Sequence, residues 1–528
     1  MDQTTDRHNR HLGDVGETPD GAAPRLDPVA CYRALTARDA RFDGRFFVGV
    51  TSTGIYCRPT CPAPSAKFAN CRFFRSAAAA REAGFRPCLR CRPETAPEIG
   101  TPETGAWAGT SNTVRRGLAL IAEGALDDER HSIAHLASRL GLGERQLRRL
   151  FQEHLGASPI AVAQTRRIHL AKQLIHETRL PMAEIALAAG FGSVRRFNET
   201  FQALYQRPPS SLRRKNQMAL SAGSVAVSGV VVRLPYRPPY DWPFMLSYLA
   251  ARAIPGIEVV SGERYLRTVE IDGEVGSIEV AHDPASCCLG ATLRFPCVKA
   301  LPTLIARIKR VFDLGADLGL IGQHLAQDAI LAPLIAKRPG LRAPGGWDGF
   351  ELAIRAVLGQ QVTVTAGRQL AARLSAICGS EIPASAQHDG ALTRVFPSAA
   401  QVAGADLSSL GMPGARKRTL ITLAEAALRD PDLFRAAADI DATIDRLRAI
   451  KGIGDWTAHY IALRVVREPD AFPASDIGIL RGATPPGGVR PTPQALLKMA
   501  QAWRPWRAYA AQHLWAEDEA RIMETSHG

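Results

Sequence analysis

Residues 447–476, LRAIKGIGDWTAHYIALRVVREPDAFPASD, decide how the rest of the chain is read. A helix-length pattern ends at Ile450, turns through Lys451-Gly452-Ile453-Gly454, and restarts as a helix whose Trp456, Tyr460 and Leu463 share one face. This is a helix-hairpin-helix in outline. Two glycines around one aliphatic residue permit positive φ, let the backbone approach a phosphate, and aim the second helix's free N–H groups at that anion. The same pattern also serves as a plain tight connection between helices. Beyond it, Phe472-Pro473-Ala474-Ser475 leads to Asp476 at the expected start of another helix, where a carboxylate can cap the helix or do chemistry.

Composition sets the frame for this stretch. A chain of 528 residues exceeds one core and predicts three or four domains. A net charge of +14 and a pI near 9.6 point to a polyanion. The N-terminal MDQTTDRHNRH lacks an apolar segment, and the most apolar run, 218–232, is broken by serine and glycine and too short to span a bilayer. A cytoplasmic protein with no membrane partner is therefore expected.

Six of the ten cysteines precede residue 92, and in a reducing compartment closely spaced cysteines are better read as metal ligands than as disulfides. Cys57 and Cys61, then Cys88 and Cys91, pair a C-x3-C with a C-x2-C and suit one tetrahedral Zn2+. Cys31 and Cys71 fall outside that pattern and read as small hydrophobes. Such a zinc can be purely structural, or it can keep a thiolate deprotonated and nucleophilic. Between Cys57 and Pro93 there are eight Lys or Arg against one acid, Glu82, which suits a DNA backbone.

Further along, IAHLASRLGLGERQLRRLF (133–151) reads as helix, glycine turn, helix, and AEIALAAGFGSVRRFNETF (183–201) repeats the pattern. From Asp127 to Arg214 there are 14 Lys or Arg against eight acids. Arg145, Arg148 and Arg149 fall on the first expected recognition helix, and Arg195 and Arg196 on the second. They can reach two major-groove segments or form a solvated basic face. Short alternations of Val, Ile and Thr up to about residue 300 predict an antiparallel sheet with helices, and the pattern beyond is almost all helical.

Each of these segments resembles a known family. DARFDGRFFVGVTSTGIYCRPTC with GFRPCLRC resembles the N-terminal domain of the Ada family, which repairs methyl phosphotriesters. That resemblance makes Cys57 both zinc ligand and methyl acceptor, with Cys61, Cys88 and Cys91 completing the site. The double helix-turn-helix resembles the AraC-type DNA-binding domain, and RNA polymerase follows as a candidate partner of such a regulator. PPYDWPFMLSYLAARAIPGIE (238–258), RPGLRAPGGWDGFELAIRAVLGQQV (338–362) and the hairpin resemble 3-methyladenine glycosylases of AlkA type, in the helix-hairpin-helix superfamily.

The glycosylase resemblance implies several roles. Asp476 is catalytic, stabilising oxocarbenium character at the sugar or positioning water. Gln360 and Gln361 lie at the lesion, Gln361 standing where relatives carry an intercalating wedge, often leucine. Trp456, Tyr460 and Trp515 stack on the flipped, electron-deficient base. Gly452 and Gly454 meet the phosphate, with a monovalent cation at the carbonyls of Arg448, Ile450 and Ile453. Bifunctional relatives carry a lysine where this chain has Trp456, so a monofunctional enzyme is implied.

The expected architecture is a multidomain α+β chain, with a tail over 1–26 and a small zinc α/β domain over 27–94. An all-α double helix-turn-helix follows over 112–214, then a linker over 215–228 and an antiparallel β/α domain over 229–300. An all-α helix-hairpin-helix glycosylase domain over 301–520 completes it. The expected function is alkylation repair joined to transcription activation on double-stranded DNA. The rival is a regulator whose glycosylase-like half only clamps DNA.

Overall fold

The computed structural model describes residues 26–97, 109–127, 132–213, 229–383, 387, 389–435 and 439–527. The expected tail, save residue 26, and the linker over 215–228 lie outside the described residues.

The first unit packs α1 (Pro28–Thr36) and α2 (Ala77–Glu82) on a four-stranded sheet of order β3-β1-β2-β4. Its strands are β1 (Phe47–Val50), β2 (Ile55–Cys57), β3 (Cys71–Phe74) and β4 (Arg86–Pro87). β2 pairs in parallel with β4, with Tyr56 opposite Pro87. That register places the residue after each partner, Cys57 and Cys88, side by side at one end of the sheet. Cys31 is buried with Phe46 and Val48, as a small hydrophobe should be.

The helix-turn-helix unit comprises α3 (Gly109–Ala122), α4 (Ile133–Arg139), α5 (Glu144–Leu155), α6 (Pro159–Glu177), α7 (Met182–Ala188) and α8 (Val194–Tyr205). Serines at 132, 158 and 193 cap α4, α6 and α8 by accepting an N–H of the first turn, so each helix start is written locally. α5 buries Leu147, Leu150 and Phe151, and α8 buries Phe197, Phe201 and Tyr205; this spacing leaves the opposite faces to solvent.

A five-stranded antiparallel sheet of order β5-β9-β8-β7-β6 follows. It is built from β5 (Val230–Pro235), β6 (Glu258–Ser261), β7 (Arg264–Ile271), β8 (Glu274–Asp283) and β9 (Cys288–Arg294), with α9 (Trp242–Arg252) across it. Its core is not its own. Ile168, Leu174 and Phe197 of the preceding unit belong to the same continuous cluster as Val232, Val280 and Trp347. The change of composition at the linker is therefore not a packing boundary.

The remaining helices, save the first, which adds Leu304 and Ile308 to that shared cluster, surround the largest core. They are α10 (Leu301–Val311), α11 (Leu318–Leu325), α12 (Leu331–Lys337), α13 (Gly349–Leu358), α14 (Val364–Cys378), α15 (Ala399–Ala403) and α16 (Gly414–Arg429), then α17 (Ile440–Arg448), α18 (Asp455–Ile461), α19 (Ile477–Gly482), α20 (Pro493–Met499) and α21 (Arg507–His527). α17 and α18 form the hairpin, and α17 ends at Arg448, two residues before the expected Ile450. α19 lies directly on α21, since a Cβ on Gly482 would stand 2.1 Å from the Leu514 carbonyl oxygen. Among the described residues no helix is long and apolar enough to cross a membrane.

Candidate active site and nucleic-acid interfaces

The hairpin turn depends on one glycine, not two. Gly452 has φ +95°, and a Cβ there would lie 2.0 Å from Thr419 Oγ1, so both conformation and space demand glycine. Gly454 has φ −86° and no atom within 4 Å of where a Cβ would sit. It begins α18 without a side-chain cap, leaving the first turn's N–H groups open to an anion.

Past Ile461 the second hairpin helix widens into a π-helical turn over Ala462–Val466. Leu463, within this turn, is buried in the core and lines a small cavity with Arg467 and Tyr509. Trp456 and Tyr460 remain together, stacked with ring centroids 5.3 Å apart and planes 11° from parallel. Trp515 of α21 meets Tyr460 edge-on at 6.2 Å and 77°.

Asp476 both caps a helix and faces these rings. Its Oδ1 accepts from Ile479 N at 3.0 Å, which makes it the N-cap of α19. The same oxygen accepts from Trp515 Nε1 at 2.9 Å, and Oδ2 accepts from Trp456 Nε1 at 2.6 Å. Three N–H groups from three helices thus orient one half-buried carboxylate at the edges of two indole rings, and a charge-assisted bond is the stronger kind.

Sequence reasoning missed the residues behind the rings. Arg464 is buried, with its guanidinium carbon 5.6 Å from the Tyr460 centroid, 4.9 Å from Trp515 and 5.1 Å from Tyr248. Its Nη1 donates to Pro344 O at 2.9 Å. The signal was available, since Trp456, Tyr460 and Arg464 recur every four residues. Tyr248, on α9, had none. Burial and then the Tyr248 phenol push Tyr460 up to about 12. Burial works the same way on Tyr248, but Arg464 and Arg252 outweigh it and hold that phenol below its usual value.

Gln360 follows α13 and braces the hairpin, donating from Nε2 to Gly452 O at 3.2 Å and to Thr457 Oγ1 at 3.0 Å. Arg416 secures it in turn by donating to the Gln360 backbone carbonyl at 2.7 Å. Gln361 is exposed and left-handed, with φ 56°, a conformation that costs a non-glycine residue about 1 kcal/mol or more. Of the carbonyls expected to hold a cation, that of Ile450 accepts Ile453 N at 3.0 Å.

In the first unit the Sγ atoms of Cys57, Cys61, Cys88 and Cys91 all lie within 4.8 Å of one another. Four thiolates about 2.3 Å from a tetrahedral Zn2+ would stand about 3.8 Å apart, so the residues present fit the metal. Backbone N–H groups of Arg58 and Arg90 reach Cys91 Sγ at 3.4 Å and Cys88 Sγ at 3.3 Å. Cys57 is partly exposed and the other three are buried.

Arg145, Arg148 and Arg149 on α5, and Arg195 and Arg196 on α8, are all exposed. Arg148 pairs with Glu144 at 3.6 Å and Arg195 with Glu199 at 2.8 Å, exposed helical pairs of small worth.

Three family models match the chain: the metal binding domain of Ada over 30–94, a helix-turn-helix domain over 136–215, and the AlkA N-terminal domain over 231–348. The chain is 34% identical over 285 residues to DNA-3-methyladenine glycosylase 2 of Escherichia coli, which spans 53% of this chain and 95% of that one. A solved 3-methyladenine DNA-glycosylase from Archaeoglobus fulgidus, 17% identical, covers 54% of this chain and 98% of its own at a TM-score of 0.48. A Mycobacterium tuberculosis protein described as a probable bifunctional transcriptional activator/DNA repair enzyme AlkA is 41% identical over 497 residues, 94% of this chain and 97% of that one. Matched to that relative along nearly the whole of both chains, the protein belongs to the AlkA family of bifunctional transcriptional activator/DNA repair enzymes.

Proposed function

We propose that this protein repairs alkylated DNA at two centres and regulates transcription through a third. In the hairpin half it hydrolyses the N-glycosidic bond of alkylated bases of the 3-methyladenine kind after flipping them from the duplex. The observation that carries this reading is the Asp476 carboxylate, fixed by two indole N–H groups and one amide beside a stack of aromatic rings. An N-alkylated purine carries positive charge and already leaves well. What remains for the site is to hold the base by stacking and to offset the charge growing at the sugar C1′. Asp476 does the second, while Trp456, Tyr460 and Trp515 do the first. Gln360 sets the hairpin against the lesion, and Gln361 fills the gap left by the extruded base. Gly452 and Gly454 seat the phosphate, with a monovalent cation at the carbonyls of Arg448, Ile450 and Ile453. No lysine stands at Trp456, so the enzyme is monofunctional and leaves an intact abasic site.

At the N-terminal half, Cys57 accepts a methyl group from a DNA phosphotriester while Cys61, Cys88 and Cys91 share the zinc with it. Its partial exposure beside three buried cysteines favours this one as acceptor. Zinc, when bound, supplies a deprotonated thiolate at neutral pH. The arginines of α5 and α8 bind promoter DNA, and RNA polymerase is the partner this regulation calls for. Base release from a methylated duplex is the test. Release of 3-methyladenine by the wild-type chain supports the reading, whereas tight DNA binding without release would leave only a DNA clamp.

A further inference from the structure

Asp476 ends a loop whose charged residues are each held by a different part of the chain. Residues 467–475 leave the second hairpin helix with Arg467 left-handed, at φ 61°, and reach Asp476 through turns alone. Arg467 donates to Ala343 O at 2.8 Å and to the Asp313 carboxylate. Asp470 accepts from Arg507 at 2.7 and 3.0 Å and from Arg504 at 2.8 Å. These anchors lie within the glycosylase half.

The anchor of Glu468 does not. Its Oε1 accepts from Arg116 Nε at 2.9 Å and pairs with Arg116 Nη2 at 2.8 Å and Arg115 Nη2 at 3.3 Å. Arg115 Nη1 also donates to the Arg467 carbonyl at 2.9 Å. Both arginines lie on α3, the opening helix of the helix-turn-helix unit. The Glu468 side chain is 0% exposed and that of Arg116 2%, so neither charge has solvent to fall back on. Two arginines of the helix-turn-helix unit are thus turned inward against the loop that bears Asp476.

We propose that Arg116, seconded by Arg115, is a positioning residue for base release: the DNA-binding unit supplies the outer anchor that sets the Asp476 loop. Excision is then a property of the whole chain, and regulator and glycosylase communicate through α3. The inference rests on the role of Asp476 given under Proposed function.

Full-length Arg116→Gln leaves Glu468 a buried charge with a weakened partner. The amides of 468–476 should exchange with solvent faster than in wild type. Single-turnover base release should fall by about 10²-fold, the cost of a misplacement near 1 Å, with DNA affinity unchanged. Adding Glu468→Gln removes the poorly compensated charge and should recover both protection and most of the rate, which general destabilisation would not do. If Arg116→Gln does not fold, Arg115→Gln, whose side chain is 18% exposed, should give a smaller effect in the same two measurements. Unchanged loop exchange in a folded variant overturns the anchor, and faster exchange with an unchanged rate overturns the positioning role. A wild-type chain that released no base would sink the reading of Asp476, while loop exchange would still decide the anchor.

Discussion

Asp476→Asn removes one negative charge and leaves an oxygen that can still accept hydrogen bonds. In wild type, Oδ1 takes two N–H donors, Trp515 at 2.9 Å and Ile479 at 3.0 Å, while Oδ2 takes Trp456 at 2.6 Å. The amide oxygen will turn to the two donors, which sets Nδ2 against the Trp456 indole, donor to donor. Losing that charge-assisted bond costs about 1.5–3 kcal/mol of stability, inside the margin of about 5–15 kcal/mol typical of a folded domain. The catalytic cost is larger. A unit charge about 4 Å from a unit of developing positive charge, at an effective dielectric of about 20, is worth about 4 kcal/mol. At about 1.4 kcal/mol per decade this is about 10³-fold in rate. The assay is single-turnover release of 3-methyladenine with enzyme in excess, alongside DNA affinity by fluorescence anisotropy and folding by circular dichroism. The expected variant is folded, binds DNA as wild type does, and is about 10³-fold slower. A rate within tenfold of wild type would refute the charge argument, and a matching loss of DNA affinity would move Asp476 from chemistry to binding.

Borohydride added during turnover should trap no covalent protein–DNA adduct, because Trp456 stands where bifunctional relatives carry the lysine; a trapped adduct would show lyase chemistry. Cys57→Ser should abolish transfer of labelled methyl from phosphotriester DNA, whereas substitution of Cys61, Cys88 or Cys91 should chiefly unfold the zinc unit; peptide mapping that finds label on another cysteine would reject Cys57. Methylation removes one of two net negative charges from a four-thiolate zinc, so promoter affinity should rise after methyl transfer and the gain should shrink with salt; an unchanged Kd across salt concentrations would contradict this. Burial, and then Arg338, holds the His513 imidazole down to about 4. Between its unfolded value of about 6.5 and that point, the unfolded chain binds a proton that the fold refuses. Stability from this group is therefore full above about pH 6.5 and is lost as pH falls, by about 1.4 kcal/mol per pH unit and about 3 kcal/mol in all. His513→Gln should lessen the drop in Tm between pH 7.5 and pH 5, and an equal drop would refute the assignment.

The features legible in the sequence are those written over short spans. Ser132, Ser158 and Ser193 mark helix starts because a cap acts within one turn, and the paired helix-turn-helix follows from apolar spacing within each helix. The four cysteines sit in two short segments that one parallel strand pair brings together, so spacing alone selected them. The hairpin was visible through Gly452, whose positive φ is a local property. The aromatic pair came from the i, i+4 rule, and the same spacing reaches Arg464 although the helix has changed to π geometry there.

What tertiary structure decided are the meetings of distant groups. At Asp476 the cap does not exclude other partners, because the two carboxylate oxygens also accept from two indoles, 20 residues before and 39 after. Glu468 and its arginines are 352 and 353 positions apart, and no pattern in either segment names the other. The shared core of Phe197 with Val280 is of the same kind, joining units that composition separates. Backbone propensity and capping act between near neighbours, so a sequence states them directly. Which buried charge meets which, and which apolar face covers which, depends on how finished elements dock, and that is settled only when water is excluded from all of them at once.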